Sequence, residues 1–295
     1  MANESTTTVV TPEQLMTHWQ GHRRLTLGTA FTPNDPQPFV SWVRTCIQIM
    51  KQLLSMTTAL GLLLAPGYKA TDHHPLTICF HNTVGGRPLE LSTAVYDNRF
   101  GEPFSVEQFK YYICSIRVTD REGNQELLAA SVHLVDQADT ASLTLRLSCG
   151  LKRLRSIAFV LGVDSTANTG GVMTGDLDPM RGMFWTWNSG YIYARLEGQS
   201  DSAVSPAHRF SWDVGGYKTN ANAAREVVVS IPEGQADEGS GGKPYEGPIT
   251  IEADLLKWFD GKTAVRLSAS PTCHEPGALA MRIADNYSNM FSIVH

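Results

Sequence analysis

Nine histidines, nine methionines and five cysteines are the soft donors this sequence offers to a metal, and their spacing matches no familiar ligand pattern. Cys46, Cys79, Cys114, Cys149 and Cys273 include no CxxC pair, so neither a zinc ribbon nor a thioredoxin-like redox site is supported. Cys114 and Cys149 read instead as small hydrophobes on inward strand faces, and one disulfide among the five stays open. Beyond residue 70 the imidazoles are His73, His74, His81, His133, His208, His274 and His295. With the thioethers of Met173, Met180 and Met183 they are admissible copper donors, because copper accepts both groups. No HxH or WxH pair concentrates them, and each histidine taken singly reads as a surface or hydrogen-bonded residue.

The densest chemistry lies between Leu161 and Gly198, where LGVDSTANTGGVMTGDLDPMRG leads into the aromatic block MFWTWNSGYIY. Asn, Asp and Gly at this density predict a long ordered loop, since Asn and Asp side chains bond their own backbone in turns. Asp164, Asp176 and Asp178 lack the ligand order of a calcium loop and read as turn caps. Trp185 and Trp187 are two residues apart, which on a strand puts both indoles on one side. Together with Met183 and Tyr191 they form a candidate binding surface, with core packing as the competing reading. An indole platform suits a sugar ring, which supports an alternative function as a carbohydrate- or surface-binding module.

Nucleophilic or metal-hydrolytic chemistry has little to rest on: there is no GxSxG elbow, no HExxH helix, and GGVMTG lacks the lysine of a phosphate loop. The reading is therefore a binding protein and not an enzyme, a secreted hydrolase being a distant third. The formal charge of −5 carries no Lys/Arg-rich run, which argues against a nucleic-acid partner.

The elements that must position these residues are strands. In FKYYICSIRV, Tyr112, Cys114, Ile116 and Val118 share one face at period two; SLTLRLSC aligns Leu143, Leu145, Leu147 and Cys149; SIAFVLGV aligns Ile157, Phe159, Leu161 and Val163. Further strands are expected at 191–196, 227–231, 249–253 and 265–269. DLLKWFDG predicts a short helical turn and EPGALAMRIADNYSNMF one C-terminal helix. None of the strands leads into the long helix of a parallel crossover. The expected fold is all-β, an antiparallel β-sandwich with long loops and one short C-terminal helix.

Residues 50–70, MKQLLSMTTALGLLLAPGYKA, have the layout of a secretory signal: Lys51, an apolar stretch from Leu53 to Ala65, and a small-residue exit at Ala70. The stretch is too short for a spanning helix of about 20 residues, so no stable membrane anchor is expected. This predicts that 1–49 is a disordered leader or, with Met50 as the true start, an over-extension of the reading frame, followed by a signal at 50–70 and an exported domain at 71–295, periplasmic or secreted.

FKYYICSIRVTDREG, HLVDQAD, LGVDSTAN with GDLDP, MFWTWNSGYIYARLEG, HRFSWDVGGY and CHEPGALAMRIADNYSNMF, in this order, resemble the MbnP-like family of exported copper-associated proteins. The resemblance implies a β-sandwich that handles copper as Cu(I) or Cu(II). In some relatives Cu(I) is held by two histidines and a tryptophan oxidised to kynurenine by a di-haem peroxidase-like partner. Two positions depart from the pattern: Asp213 in SWDVGGY and Asn82 in FHNTVG stand where histidine is expected. His81, His133 and His208 are the donors the reading puts forward in their place, with Trp185 or Trp187 near the site.

Overall fold

The architecture comes from a computed structural model that describes residues 72–171, 173–187, 190–232 and 247–294, together with Gln48. The leader reading for 1–49, the signal reading for 50–70, Cys46, His295 and most of the glycine-rich run EGSGGKPYEGP lie outside the described residues.

Strands of four residues or more, in chain order, are β1 (His74–Val84), β2 (Pro103–Asp120), β3 (Gln125–Ala129), β4 (His133–Asp136), β5 (Thr144–Cys149), β6 (Leu154–Leu161), β7 (Gly190–Gln199), β8 (Arg209–Gly215), β9 (Arg225–Ser230), β10 (Pro248–Asp254) and β11 (Phe291–Val294). One sheet runs β11-β10-β1, with β5 also on β1; the other runs β9-β6-β2-β7-β8, with β3 and β4 also on β2. Most ladders are antiparallel, as the alternation predicts. Two pairs are parallel: β1 with β10, and β8 with Thr272–Cys273. No crossover helix is needed for the first, because the second sheet's strands β2, β3, β4, β6, β7, β8 and β9 all lie between its two strands in the chain. Two helices are present among the described residues, α1 (Ser165–Thr169) and α2 (Ala278–Tyr287). No helix among the described residues is long and apolar enough to cross a membrane.

The sheets close on an aromatic core. Phe80 of β1 meets Tyr111 of β2 and Phe159 of β6 edge-on, at 6.2 and 6.3 Å between centroids, while Phe291 of β11 reaches the same Tyr111 and Phe159 at 5.7 and 5.0 Å. A second cluster joins Trp212 to Trp258 and Phe259, with Tyr287 of α2 against Trp258. Each such buried ring contributes roughly 1.5–3 kcal/mol of transfer free energy, enough for this seam to hold the layers together.

Two strand expectations are corrected. The period in FKYYICSIRV breaks at a bulge: Ser115 has φ 54°, and the β2 to β6 register shifts between Cys114 and Arg117. Ahead of the bulge the alternation holds: Tyr111 lies in the inter-sheet core, and its neighbour Tyr112 turns out to the loop after β6 and donates to the Asp176 carbonyl at 2.9 Å. The run 265–269 is not a strand, although Val265 and Leu267 are buried. The Leu267 and Ser268 N–H groups donate to the Glu102 carboxylate, so this backbone is satisfied without a ladder partner.

Candidate functional site

The long connection from β6 to β7 is tied to the second sheet by tyrosine hydroxyls. Tyr112 donates to the Asp176 carbonyl and Tyr191 to the Leu177 carbonyl, each at 2.9 Å, and Tyr193 accepts from Asn168 Nδ2 at 2.8 Å. Two of the three aspartates, Asp164 and Asp178, cap turns as expected, and Asp176 does not. Asp164 caps α1, Asp178 accepts from the Met180 N–H, and Asp176 faces His133.

This anchoring delivers Phe184 and Trp185 as a two-residue ladder against Gly190 and Tyr191. Trp185 is 4% exposed and Trp187 63% exposed, their rings 5.8 Å apart and tilted by 44°. Met183 and Tyr191 are buried, so of the four residues assigned to a binding surface Trp187 alone presents a face to solvent. The reason is local: Tyr191 is consumed in anchoring the loop, and the Met183 carbonyl accepts from the Ile192 N–H in extending the ladder.

Gly215 and Gly216 form the floor beneath Trp185. A Cβ at 215 would lie 2.5 Å from the Tyr191 carbonyl and 2.9 Å from the Trp185 ring, and one at 216 would collide with the Ala221 carbonyl. The paired glycines thus let the indole lie against β8 and let the short hairpin of Tyr217–Lys218 and Ala221–Asn222 fold down beside it. Between them is a pocket of about 310 Å³ bordered by Trp185, Trp187, Tyr217, Lys218, Asn220 and Glu275. Trp185 Nε1 is buried and has no hydrogen-bond partner among the described residues.

Beside the pocket lies a charged row. Arg195 of β7 donates to Asp213 of β8 through Nε at 2.6 Å and Nη2 at 2.9 Å, and Glu197 stands 3.4 Å from the same Nε. His274 Nδ1 is 3.4 Å from Asp213 Oδ2, the oxygen that also accepts from Arg195 Nη2. The imidazole is half exposed and shares a shallow depression with Trp187, Cys273 and Glu275. A carboxylate that holds one ring nitrogen of a histidine leaves the other nitrogen for a metal, a recurrent arrangement in metal sites. Cys273 is a poorer donor: burial, followed by nearby carboxylates, pushes its thiol up to about 11, so it is protonated at neutral pH.

The three histidines singled out from sequence occupy separate surroundings. His81 is exposed on β1, in register with Glu252 of β10. His133 has both nitrogens engaged, Nε2 on the Ser142 carbonyl at 2.7 Å and Nδ1 facing Asp176 at 3.2 Å. His208 ends a strained turn, where Ala207 and His208 both have positive φ, and borders a different hollow with Ser200 and Asp201. Among the described residues no group of three or more His, Cys, Asp or Glu is arranged to hold a metal ion. His274 was one histidine among the seven beyond residue 70 and was not singled out from sequence; its contact with Asp213, a position where the family resemblance led histidine to be expected, is the link that could have found it. Asn82, the other replaced position, is a buried structural residue that accepts from Tyr111 and donates to Gln137.

Comparison with known proteins agrees with this geometry at the level of family and fold. The MbnP family model matches residues 73–275. Among solved structures, MbnP from Methylosinus trichosporium is similar at a TM-score of 0.51 and 15% identity, covering 70% of this chain and 83% of that one. At this identity the likeness is one of fold. A comparison with curated proteins finds no match.

Proposed function

The chain belongs to the MbnP family, and from that premise we propose that it is an exported, non-catalytic protein that handles copper, with His274 as the imidazole donor. The observation that carries the reading is the contact of His274 Nδ1 with Asp213 Oδ2, beside the exposed indole of Trp187. It presents a carboxylate-held imidazole in an aromatic setting open to solvent.

One imidazole is available beside Trp187, and no three-donor group exists among the described residues. Asp213 itself is occupied by the Arg195 guanidinium, whose charge repels a cation from the carboxylate. Such a site favours exchange of the ion over its permanent retention, which suits a carrier in the periplasm or outside the cell.

A competition titration of the purified protein against a Cu(I) chelator tests the reading. Wild type is expected to hold one copper ion weakly, so that excess chelator removes it, and His274→Ala to hold none. Equal binding by the two proteins, or none by wild type, overturns it. Oxidation of a tryptophan to kynurenine by a di-haem peroxidase-like partner belongs to the same proposal; it would add about 4 Da to the intact mass, a covalent change that mass spectrometry reads directly.

A further inference from the structure

We propose that the pocket beside Trp185 and Trp187 binds the ring of a saccharide, independently of copper. Three observations point to it. The first is the orphaned donor: buried polar groups almost always have a partner, yet Trp185 Nε1, at the wall of this pocket, has none among the described residues. A ligand oxygen is the natural acceptor for it.

The second is the balance of unused polar groups. Among the described residues Lys218 has no ion pair, Glu275 has none either, and the Asn220 amide makes no hydrogen bond; all three border the same space. One cation, one anion and one amide around a small cavity match a neutral ligand that both donates and accepts along its rim, as adjacent hydroxyls do. A purely anionic ligand would meet Glu275, and a purely cationic one Lys218.

The third is shape. Trp187 exposes 63% of its surface at the mouth, tilted 44° to Trp185, which gives the apolar C–H face of a pyranose a flat wall opposite the polar rim. The volume, about 310 Å³, lies at the lower end of the usual range for small-molecule sites, roughly 300–1,000 Å³, and fits one ring rather than an extended chain. The Gly215–Gly216 pair keeps the pocket open, since a side chain at either position would push into Tyr191 or the hairpin.

The test uses the full chain on a printed glycan array, followed by tryptophan-fluorescence titration with the methyl glycosides of the sugars retained. Wild type is expected to bind at least one sugar. Trp187→Ala, a surface change that leaves the core intact, should weaken that binding about tenfold or more, the equivalent of one well-placed aromatic contact. Trp185→Phe, which keeps an aromatic ring and removes the donor, should weaken it as well. His274→Ala should bind sugar as wild type does while losing copper, so failure of either proposal is seen separately. No binding across the array, or wild-type affinity in Trp187→Ala, overturns the inference.

Discussion

Arg195 holds Asp213 with two parallel hydrogen bonds, 2.6 and 2.9 Å, across adjacent strands of the second sheet. The pair is largely buried, with 15% and 7% of the two side chains exposed, and Asp213 in turn positions His274. Removing one partner of such a pair leaves a charge without compensation, whereas replacing both with apolar groups is often neutral. Asp213→Ala is therefore expected to cost about 3–5 kcal/mol, toward the lower end because Glu197 remains 3.4 Å from the guanidinium. The double variant Arg195→Met/Asp213→Leu should recover most of that loss. Urea unfolding of the single and double variants reads the difference; a double variant no better than Asp213→Ala would show that the pair is not the unit of stability.

The same pair shows where sequence reading ran out. A carboxylate in place of an expected histidine was visible at position 213, but its partner lies 18 residues away on another strand, and nothing in the spacing of Arg195 and Asp213 announces a contact. The spacing of two between the tryptophans predicted a shared strand face, but the strand ends at Trp185 and Trp187 lies in the turn beyond it. The division into a buried Trp185 and an exposed Trp187 was not legible, since it depends on the loop held down by Tyr112, Tyr191 and Tyr193. Period two located β5, β6, β7, β9 and β10. It failed where the chain satisfied its backbone by other means: at the Ser115 bulge, and at Leu267 and Ser268 on the Glu102 carboxylate.

Glu102 predicts an acid-sensitive clamp. Burial acts to raise its pKa, but hydrogen bonds from the Ser268 hydroxyl, Asn98, and the Ser268 and Leu267 N–H groups outweigh it and hold the carboxyl below its usual value. A depressed folded-state pKa contributes stability that is fully present above the unfolded value, about 4.3, and lost as pH falls through the lower folded value. Glu102→Gln should lose about 1.5–3 kcal/mol at pH 7, the range for a hydrogen bond to a charged group, and the gap from wild type should close as pH falls toward 3. Denaturant midpoints measured across that interval check it. A gap that stays constant with pH would assign the loss to shape and not to charge.

The described cysteines, Cys79, Cys114, Cys149 and Cys273, are unpaired. Burial first, then the Glu126 carboxylate, pushes Cys149 up to about 11, and burial does the same for Cys273. Thiols react as thiolates, so both are expected to resist iodoacetamide at pH 8 in the folded protein and to label on unfolding. Cys79, less buried, should label first. Peptide mass spectrometry of a labelling time course gives the order; early labelling at Cys149 or Cys273 would contradict the packing around them.

Gly198 is where the two longest strands of the second sheet approach too closely for any side chain. The β7 to β2 register shifts between Glu197 and Gly198, so that Gly198 lies opposite Val106 with Gln199 against Ser105. A Cβ at 198 would run into the Ser105 carbonyl in the neighbouring strand and touch Phe210 at 3.0 Å. Backbone cannot yield here as a flexible side chain would, because β2 also carries β3, β4 and β6. Gly198→Ala is thus expected to destabilise the fold by about 1–3 kcal/mol or more, despite the ordinary advantage of alanine in reducing unfolded-state entropy. Gly86→Ala supplies the contrast: it has positive φ and nothing within 4 Å of an added Cβ, so its cost is backbone strain alone, about 1–2 kcal/mol. Thermal unfolding of the two variants separates the mechanisms. Gly198→Ala should also raise hydrogen exchange along Ser105–Phe109 and Leu196–Gln199, and Gly86→Ala should leave those strands protected.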